Sequence, residues 1–455
     1  MTGVSDAAHA RIYATPRAAR PEFAFDAARL REGITLRIDG REIVADAAVW
    51  DGSVTVRFDV VDGARSVSDE VALKMAPVLT HHNLQAVETI VSTAPDAAHP
   101  GQEAFVQKLD AARVAAGIRN PLLLLNQSSD VWAQDFFEPA YASMPGPRGP
   151  VAIRVMLRSA QSTRASGRQV FEQLRGPGID SLGNLETIPP YTSRKGVEYN
   201  AGRIVVGKHF HREPARVILD FLRAQGVQTP LMLEAGWLAL GHVDEFVQFV
   251  PFTNSLGFTI AVADPASGLD ILRRARDGGY GDTLAISQAD SHASHRNPRM
   301  TISDALSNLT FIEANEYAQK HIEANLKILL AEIPLSGKDV IRVPSLYKDA
   351  DFALPIPDGG LPAEISPLVK GERHLVAFSP FAISGVVLGD TYVCSKPWGP
   401  MINGAYAFDK EVEKAYAKAG LNVSYVDDLA NHHVDGRGVH SRSNTLRDIR
   451  VVWWE

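Results

Sequence analysis

The sequence predicts an α/β protein that begins with a small all-β module. Residues 33–74 form short runs of alternating apolar and polar residues separated by Asp-Gly turns, a pattern typical of short strands. From residue 76 onward, segments with helical spacing of apolar residues alternate with short apolar runs. The 455 residues are 45% hydrophobic and 22% charged, as expected for a globular protein with more than one core.

The N-terminal module is expected to span residues 1–75. Its predicted strands are GITLRIDG, EIVADAAVW, SVTVRFDVV and DEVALKM. Strands of this length and spacing favour a small β-sandwich of the immunoglobulin-like kind. The segment contains no cluster of polar residues suited to catalysis, so we expect it to support the fold or contact a partner.

The second predicted domain spans residues 76–455. Its predicted helices cover 103–117, 214–225, 311–333 and 411–420, and its predicted strands include PLLLLN, TPLMLEAGW, RHLVAFSP, GVVLGDTYVC and NVSYVDD. The helix over 311–333 is the clearest, because one stripe is apolar. That stripe contains Ala314, Ala318, Ile322, Leu326 and Leu329 or Leu330.

Bulk properties exclude several classes of function. The net charge of −7 disfavours a nucleic-acid-binding protein, which normally presents a basic surface, and suits a cationic partner instead. No apolar run approaches the roughly 20 residues of a membrane span, and the N-terminus lacks a signal-peptide core. We therefore expect a soluble protein, either cytoplasmic or secreted after removal of a leader. The single cysteine, Cys394, excludes an intrachain disulfide and a cysteine-based zinc site.

Three polar stretches stand out in the second domain. SSDVWAQDFFEPAY (128–141) follows a buried strand, GWLALGHVDEFVQFVP (236–251) interrupts an apolar segment with polar residues, and GRGVHSRSN (436–444) lies near the C-terminus. Each stretch alone is weak evidence, because an aspartate after a strand is commonly a helix cap. Together they supply two carboxylates, a histidine, an aromatic face and a position for a nucleophile.

Such a group of side chains suits a guanidinium ligand. A guanidinium is planar and always cationic, and its donors form a fork that matches carboxylate geometry. Two aspartates can bind its edges while a tryptophan flanks the attached stem. A nucleophile that attacks its central carbon needs a histidine to move protons.

Six ordered motifs in this sequence resemble the catalytic domain of the protein-arginine deiminases. The motifs are WAQDFFEPAY, GIDSLGNLE, EYNAGRIVVG, GWLALGHVDEF, SKPWGPMING and HHVDGRGVHSRSN. The resemblance extends from about residue 72 to the C-terminal VVWWE. In the vertebrate enzymes of this family, the resemblance implies two sandwich modules before the catalytic domain. Residues 1–75 of this chain have room for about one such module.

This resemblance implies a fold and an activity. The fold is the pentein, a five-bladed α/β propeller with the active site on its axis. The activity is hydrolysis of peptidyl-arginine to peptidyl-citrulline and ammonia through a covalent thiouronium. The implied catalytic residues are Asp135 and Asp244, which grip the guanidinium, His242, which moves protons, and Ser441. The implied substrate-binding residues are Trp132 along the arginine stem, with Arg175 and Arg437 as contacts for the peptide backbone.

Ser441 stands where the family motif G-x-V-H-C-x-x-N has its nucleophilic cysteine. A thiol with a pKa of about 8.5 supplies thiolate readily, whereas a serine hydroxyl needs a strong adjacent base. We therefore expect this chain to bind arginine substrates but to turn them over very slowly or not at all. Because every other catalytic position of the motifs is intact, we favour an engineered Cys-to-Ser change, an inactivated active-site variant, over the alternative of a natural pseudoenzyme.

The resemblance also implies one Ca²⁺ site beside the active centre. Its implied ligands are Gln134, Glu138 and Glu186 with carbonyl groups at Leu182 and Leu185. Ligands that all donate oxygen suit Ca²⁺ and not Zn²⁺. A second calcium site of the family is not expected, because Phe136 stands in place of an acidic ligand.

Several alternatives share this chemistry. Deiminases of free arginine, agmatine deiminases and amidinotransferases use the same residue types, and a non-catalytic arginine-peptide-binding protein would retain the same pocket. The motif similarity favours the branch that acts on arginine-containing peptides or proteins.

Overall fold

The computed structural model describes residues 10–15, 25–40, 43–99, 101–126, 130–158, 184–210, 212–288, 299–350, 372–429, 433 and 437–455. The chain divides into two compact units. The first combines Met1–Pro77 with Leu219–Gly226, and the second combines Val78–Ile218 with Val227–Glu455.

The first unit contains two antiparallel strand pairs in its described residues. Strand β1 (Ala10–Thr15) pairs with β2 (Thr35–Gly40), and β3 (Ser53–Asp62) pairs with β4 (Arg65–Lys74). Between β1 and β2 lies the short helix α1 (Ala27–Glu32). Strands β2, β3 and β4 match three of the four that the sequence predicts, whereas β1 was not predicted.

The predicted strand EIVADAAVW is wrong over its described part, residues 43–50, which form no strand. A turn forms instead, because Asp46 accepts hydrogen bonds from backbone amides of the residues that follow it. Its Oδ1 accepts from the amide of Ala48 at 2.8 Å, and its carbonyl oxygen accepts from the amide of Trp50 at 3.0 Å. Aspartate commonly competes with strand pairing in this way.

The second unit is an α/β structure. Its strands are β5 (Leu79–Thr80), β6 (Val87–Thr93), β7 (Leu123–Leu125), β8 (Phe137–Met144), β9 (Val151–Arg158), β10 (Leu185–Ile188), β11 (Tyr191–Thr192), β12 (Glu198–Tyr199), β13 (Arg203–Lys208), β14 (Leu231–Glu234), β15 (Val247–Pro251), β16 (Phe258–Asp264), β17 (Ile341–Pro344), β18 (Tyr347–Asp349), β19 (Leu375–Ala377), β20 (Val386–Leu388), β21 (Thr391–Ser395), β22 (Met401–Ile402), β23 (Ala405–Tyr406), β24 (Asn422–Val426) and β25 (Asn444–Arg447).

Three-stranded sheets recur five times among these strands. Their orders are β5-β8-β9, β25-β6-β7, β10-β13-β14, β15-β16-β17 and β20-β21-β24. In the last four, the central strand has one antiparallel and one parallel neighbour. In the first, both neighbours are antiparallel. The chain therefore repeats one small sheet pattern along most of its length.

Further helices follow α1 along the chain. In the described residues they are α2 (Gln102–Ala115), α3 (Ala133–Phe136), α4 (Arg216–Ala224), α5 (Pro265–Ala275), α6 (Ile302–Ser307), α7 (Leu309–Glu332), α8 (Ala407–Ala417) and α9 (Val439–Arg442). No helix in this part of the chain is both long enough and apolar enough to span a membrane.

Helix α7 confirms the apolar stripe that the sequence predicts. Asn308 caps its N-terminus, because the Asn308 side chain accepts a hydrogen bond from the amide of Phe311 at 3.2 Å. The buried members of the stripe are Ala314, Ala318, Ile322, Leu326 and Leu329. The helix also holds the end of β14, because Asn325 exchanges two 2.8 Å hydrogen bonds with the backbone of Glu234.

The three polar stretches of the sequence lie at the ends of different sheets. Helix α3 connects the end of β7 to β8, a 3-10 turn at Val243–Glu245 precedes β15, and α9 precedes β25. Helices α3 and α9 pack against each other. Residues from distant parts of the chain are thereby brought to one place.

Candidate active site

Asp135 and His242 are the first two site residues that the fold brings together. Asp135 lies in the single turn of α3, and its side chain is only 5% exposed. Its Oδ1 lies 4.0 Å from Nδ1 of His242. The imidazole is more open, with 17% of the side chain exposed, so it is reachable from solvent.

Asp244 faces the same imidazole from the 3-10 turn. Its Oδ1 lies 3.9 Å from His242 Nδ1. The turn keeps its shape because the side chain of Glu245 accepts a 2.9 Å hydrogen bond from the amide of His242. One histidine nitrogen is thus flanked by two buried carboxylates.

The two oxygens of Asp244 have different surroundings. Oδ2 accepts a 2.6 Å hydrogen bond from Oγ of Ser384 and lies 3.2 Å from Nδ1 of His440. Oδ1 is buried and has no hydrogen-bond partner among the described residues. Burial alone would raise the pKa of Asp244, but the charge and hydrogen bond of His440, with His242 and Ser384, lower it overall. Asp244 is therefore held ionised, with one oxygen hydrogen-bonded and the other buried without a hydrogen-bond partner among the described residues.

His440 bridges Asp244 to a second acidic residue. Its Nε2 lies 3.0 Å from Oε1 of Glu186, while Nδ1 faces Asp244. Burial opposes protonation, yet the two carboxylates raise the pKa of His440 well above its ordinary value. Ser441 is the next residue along α9 and is buried beside it.

Neighbouring elements fix α9 through its backbone. The amide of Val439 donates to Oγ of Ser395 at 3.4 Å, and Oγ of Ser92 donates to the carbonyl of Arg442 at 2.9 Å. Asn444, just after α9, donates to the carbonyl of Phe137 at 2.9 Å. The position of Ser441 is therefore determined by contacts with three other strands.

Trp132 forms an aromatic wall of the site and is contacted by two guanidinium groups. The guanidinium carbons of Arg437 and Arg442 each lie 4.6 Å from the centre of a Trp132 ring. Arg437 also forms an ion pair with Asp135 through Nη1 and Oδ2. Burial lowers the pKa of Arg437 to about 10, against the opposite effect of the Asp130 carboxylate, so the group remains charged at neutral pH.

Four of the five residues predicted to bind calcium line a small cavity that His440 also borders. It has a volume of about 50 Å³, and its walls include Gln134, Glu138, Leu185 and Glu186. Gln134 donates to Oε2 of Glu138 at 2.8 Å. Burial, and next the charge of Glu186, raise the pKa of Glu138 well above its usual range, with His440 and Arg447 acting in the opposite direction.

A family model described as protein-arginine deiminase (PAD) matches residues 65–455. The chain belongs to the protein-arginine deiminase family. Human protein-arginine deiminase type-1 is 28% identical over 410 residues, which cover 85% of this chain and 57% of that protein. Human type-4 is 31% identical over 341 residues, which cover 71% of this chain and 48% of that protein. The chain thus spans about half the length of the curated relatives it matches.

Solved structures give a weaker comparison. The C. jejuni agmatine deiminase aligns with a TM-score of 0.42 and 11% sequence identity, covering 82% of this chain and 97% of that chain. A similarity of this level supports no functional conclusion.

Most of the site residues that the family motifs indicate fall into this one region. Asp135, His242 and Asp244 face one another, and Ser441 lies on the helix that packs against α3. Arg175 and Leu182 lie outside the described residues. For Arg437, the structure gives contacts with Asp135 and Trp132.

Two further residues of the site were not assigned from the sequence. His440 stands directly before Ser441, so its place in the motif was a signal that went unused. Ser384 lies in FAISGVVLG, where no charge or motif marks it, and its contact with Asp244 spans 140 residues of the chain. Only the folded arrangement reveals its role.

Proposed function

We propose that this chain binds the arginine side chain of a peptide or protein between Asp135 and Asp244. The observation that carries the proposal is that both carboxylates lie within 4.0 Å of one histidine nitrogen while Asp244 Oδ1 has no hydrogen-bond partner among the described residues. A guanidinium has donors for both carboxylates and carries the charge that they need. Membership of the protein-arginine deiminase family supports the same ligand.

The proposed reaction is hydrolysis of the guanidinium. A nucleophile at position 441 attacks the central carbon, and the C–N bond to one terminal nitrogen breaks. His242 gives a proton to that nitrogen, which leaves as ammonia, and then takes a proton from the water that releases citrulline. The two aspartates hold the positive charge of the substrate in place throughout.

Ser441 makes this reaction slow. A serine needs an adjacent base, and the nearest histidine in sequence, His440, is unsuited to that role. Its raised pKa keeps it protonated, and its two nitrogens face Asp244 and Glu186. We therefore expect binding without appreciable turnover.

The test compares the chain carrying Ser441 with Ser441→Cys. Citrulline release is measured with a benzoyl-arginine peptide and with free arginine. We expect the cysteine form to act on the peptide at a rate several orders of magnitude above the serine form, where each factor of ten is about 1.36 kcal/mol of barrier. Comparable rates would make serine a working nucleophile. An inactive cysteine form that still binds the peptide would favour an arginine-peptide-binding pseudoenzyme, and a preference for free arginine would favour the other deiminase branch.

We also propose that the small cavity holds one Ca²⁺ ion. Gln134, Glu138 and Glu186 can supply oxygen ligands and line the cavity together with His440 and Arg447, and the pKa of Glu138 is raised by burial and a like charge. The cavity of about 50 Å³ exceeds the roughly 10–15 Å³ that one water needs. When bound, the ion neutralises the two glutamates.

Calcium binding is tested by melting the protein in excess calcium and in chelator. An ion that binds only the folded state raises stability by about 2.7 kcal/mol at 100 times its Kd. We expect a higher melting temperature with calcium, and no change in Glu186→Gln. Equal melting temperatures with and without calcium would contradict the site.

The architecture of the second unit suggests a further proposal. The five three-stranded sheets suit the five blades of a pentein propeller, and four of them share one strand arrangement. The two strand pairs of the first unit suit an immunoglobulin-like β-sandwich over residues 1–75. Limited proteolysis that releases a stable fragment beginning near residue 76 would support this domain boundary.

A further inference from the structure

Arg437 contacts the groups that the proposed site offers to a substrate. Its Nη1 pairs with Asp135, and its guanidinium lies over the ring of Trp132. Carboxylate edges and aromatic faces are the partners that a guanidinium prefers. The Arg437 side chain is only 13% exposed, so this contact belongs to the interior and is not a solvent-screened surface pair.

We propose that Arg437 occupies the guanidinium subsite of the free protein and must leave it before a substrate arginine binds. The proposal rests on the proposed function, because it takes Asp135 and Trp132 as parts of the substrate site. It makes Arg437 the residue that sets the affinity for arginine.

The geometry explains why a substrate can displace Arg437. Arg437 pairs with Asp135, while Oδ1 of Asp244 remains buried without a hydrogen-bond partner among the described residues. A buried acceptor without a hydrogen-bond partner is unfavourable, because it has lost its hydration and gained nothing in return. A substrate guanidinium with five donors can bind Asp135 and Asp244 together, so it gains an interaction that Arg437 does not make.

Arg442 lies equally close to Trp132 but is held elsewhere. Its Nη1 donates to Oε1 of Gln102 at 2.7 Å, and its carbonyl oxygen accepts from Ser92. The guanidinium of Arg442 is thus hydrogen-bonded to α2, whereas that of Arg437 pairs with Asp135. This difference identifies Arg437, and not Arg442, as the competitor for the substrate site.

Occupation by Arg437 has a measurable consequence. The apparent Kd of a ligand equals its intrinsic Kd divided by the fraction of protein whose site is open. If the Arg437-bound form outnumbers the open form by about ten to one, removal of the side chain tightens binding about tenfold.

The experiment titrates benzoyl-arginine amide by calorimetry into the Ser441 chain, Arg437→Ala and Arg437→Gln. The glutamine variant retains much of the side-chain volume if the alanine variant fails to fold. Arg450→Ala is the matched control, because Arg450 is an exposed arginine near the same end of the chain. We expect both Arg437 variants to bind about tenfold more tightly than the parent and the Arg450 variant to match the parent.

A second measurement follows Arg437 directly. Phenylglyoxal labels accessible arginines, and mass spectrometry of peptides locates the label. We expect labelling of Arg437 to increase when benzoyl-arginine amide is added to the Ser441 chain, because the ligand displaces the side chain.

The outcomes separate the two proposals. Equal affinity of the parent and the Arg437 variants would contradict the proposal that Arg437 occupies the subsite. Labelling of Arg437 that does not change when the ligand is added would contradict it too. Weaker binding by the variants would show that Arg437 contacts the substrate, which also overturns it. Absence of binding by every form, including the Arg437 variants, would overturn the proposed function itself.

Discussion

The site contains two pairs of buried carboxylates that differ in the number of positively charged groups around them. The pairs are Asp135 with Asp244 and Glu138 with Glu186. Each pair takes one member from the segment after β7 and one from a distant strand end. The aspartate pair faces His242, Arg437 and His440, and the pKa of Asp244 is lowered. In the glutamate pair the pKa of Glu138 is raised, because burial and the charge of Glu186 outweigh the nearby cations.

The comparison shows that burial alone does not decide the charge of a carboxylate. Burial raises a carboxyl pKa in both pairs, and the local balance of opposite and like charges decides the net direction. The aspartate pair already has cations that a ligand can replace, which suits reversible binding of a guanidinium. The glutamate pair lacks sufficient positive charge, which suits a permanent or regulatory metal ion.

The largest expected effect comes from neutralising one member of each pair. Asp244→Asn should weaken the binding of benzoyl-arginine amide by at least about 100-fold, since breaking a buried ion pair costs about 3–5 kcal/mol. Glu138→Gln should instead abolish the calcium-induced rise in melting temperature. Calorimetry and thermal melting on both variants measure the two effects.

Each variant serves as the control for the other. Asp244→Asn should still respond to calcium, and Glu138→Gln in chelator should still bind the arginine ligand. If either variant loses both the calcium response and the binding of the arginine ligand, the two pairs act as one site coupled through His440. The proposed difference between the two pairs would then be wrong.

The sequence predicted the elements of this region better than its contacts. Helix α7 and the strands that flank the polar stretches follow from local spacing of apolar residues, which the chain carries within short windows. The convergence of Asp135, Asp244 and Ser441 was expected from the family motifs alone. Periodicity contains no information on contacts between residues more than 100 positions apart.

The errors and omissions have the same physical origin. The predicted strand at EIVADAAVW failed because a side chain of Asp46 competes for the backbone, which apolar spacing does not reveal. Ser384 was missed because a serine among apolar residues gives no signal until its partner is known. The contact of Arg437 with Asp135 likewise depends on how the segments are brought together.

A smaller effect is expected from Ser384→Ala. Its hydroxyl donates to Asp244 at 2.6 Å within the protein interior, and a hydrogen bond to a charged group contributes about 1.5–3 kcal/mol. We expect roughly tenfold weaker binding of benzoyl-arginine amide by calorimetry, because Asp244 loses a contact that orients it.

The control for this change is Ser143→Ala, which removes a hydroxyl that donates at 2.9 Å to the carbonyl of Val451 instead of to a carboxylate. It should leave the affinity unchanged. Ser384→Ala should also have little further effect in the Asp244→Asn background, since the two residues act through one contact. Additive losses would mean that Ser384 acts on the ligand by another route.

The smallest effect tests the same rule at a further buried carboxylate, Asp428, which belongs to neither pair. It accepts a 2.5 Å hydrogen bond from the hydroxyl of Ser395. The same hydroxyl oxygen accepts a hydrogen bond from the amide of Val439 at the start of α9. Burial, with the charge of Asp427, raises the pKa of Asp428 to about 7, although the hydrogen bond from Ser395 and the charge of Arg442 oppose the shift. Asp428 thus resembles Glu138 and not Asp244.

The sign of the pH dependence follows from this shift. An unfolded aspartate has a pKa of about 3.9, so between about pH 4 and pH 7 the folded state keeps a proton that the unfolded state has lost. The stabilisation that the protonated Asp428 gives the folded state is complete below about pH 4 and is lost as the pH rises through about 7.

The side chain of Asp428→Asn stays neutral at every pH. Between pH 6 and pH 7.5 the free energy of unfolding of this variant, relative to that of the parent, should therefore increase by about 1 kcal/mol. Urea denaturation at both pH values measures the difference, with the exposed Asp282→Asn as the control that should show no such gain. A pH-independent difference between Asp428→Asn and the parent would mean that Asp428 is already ionised at pH 6, and that its surroundings supply charge as those of Asp244 do.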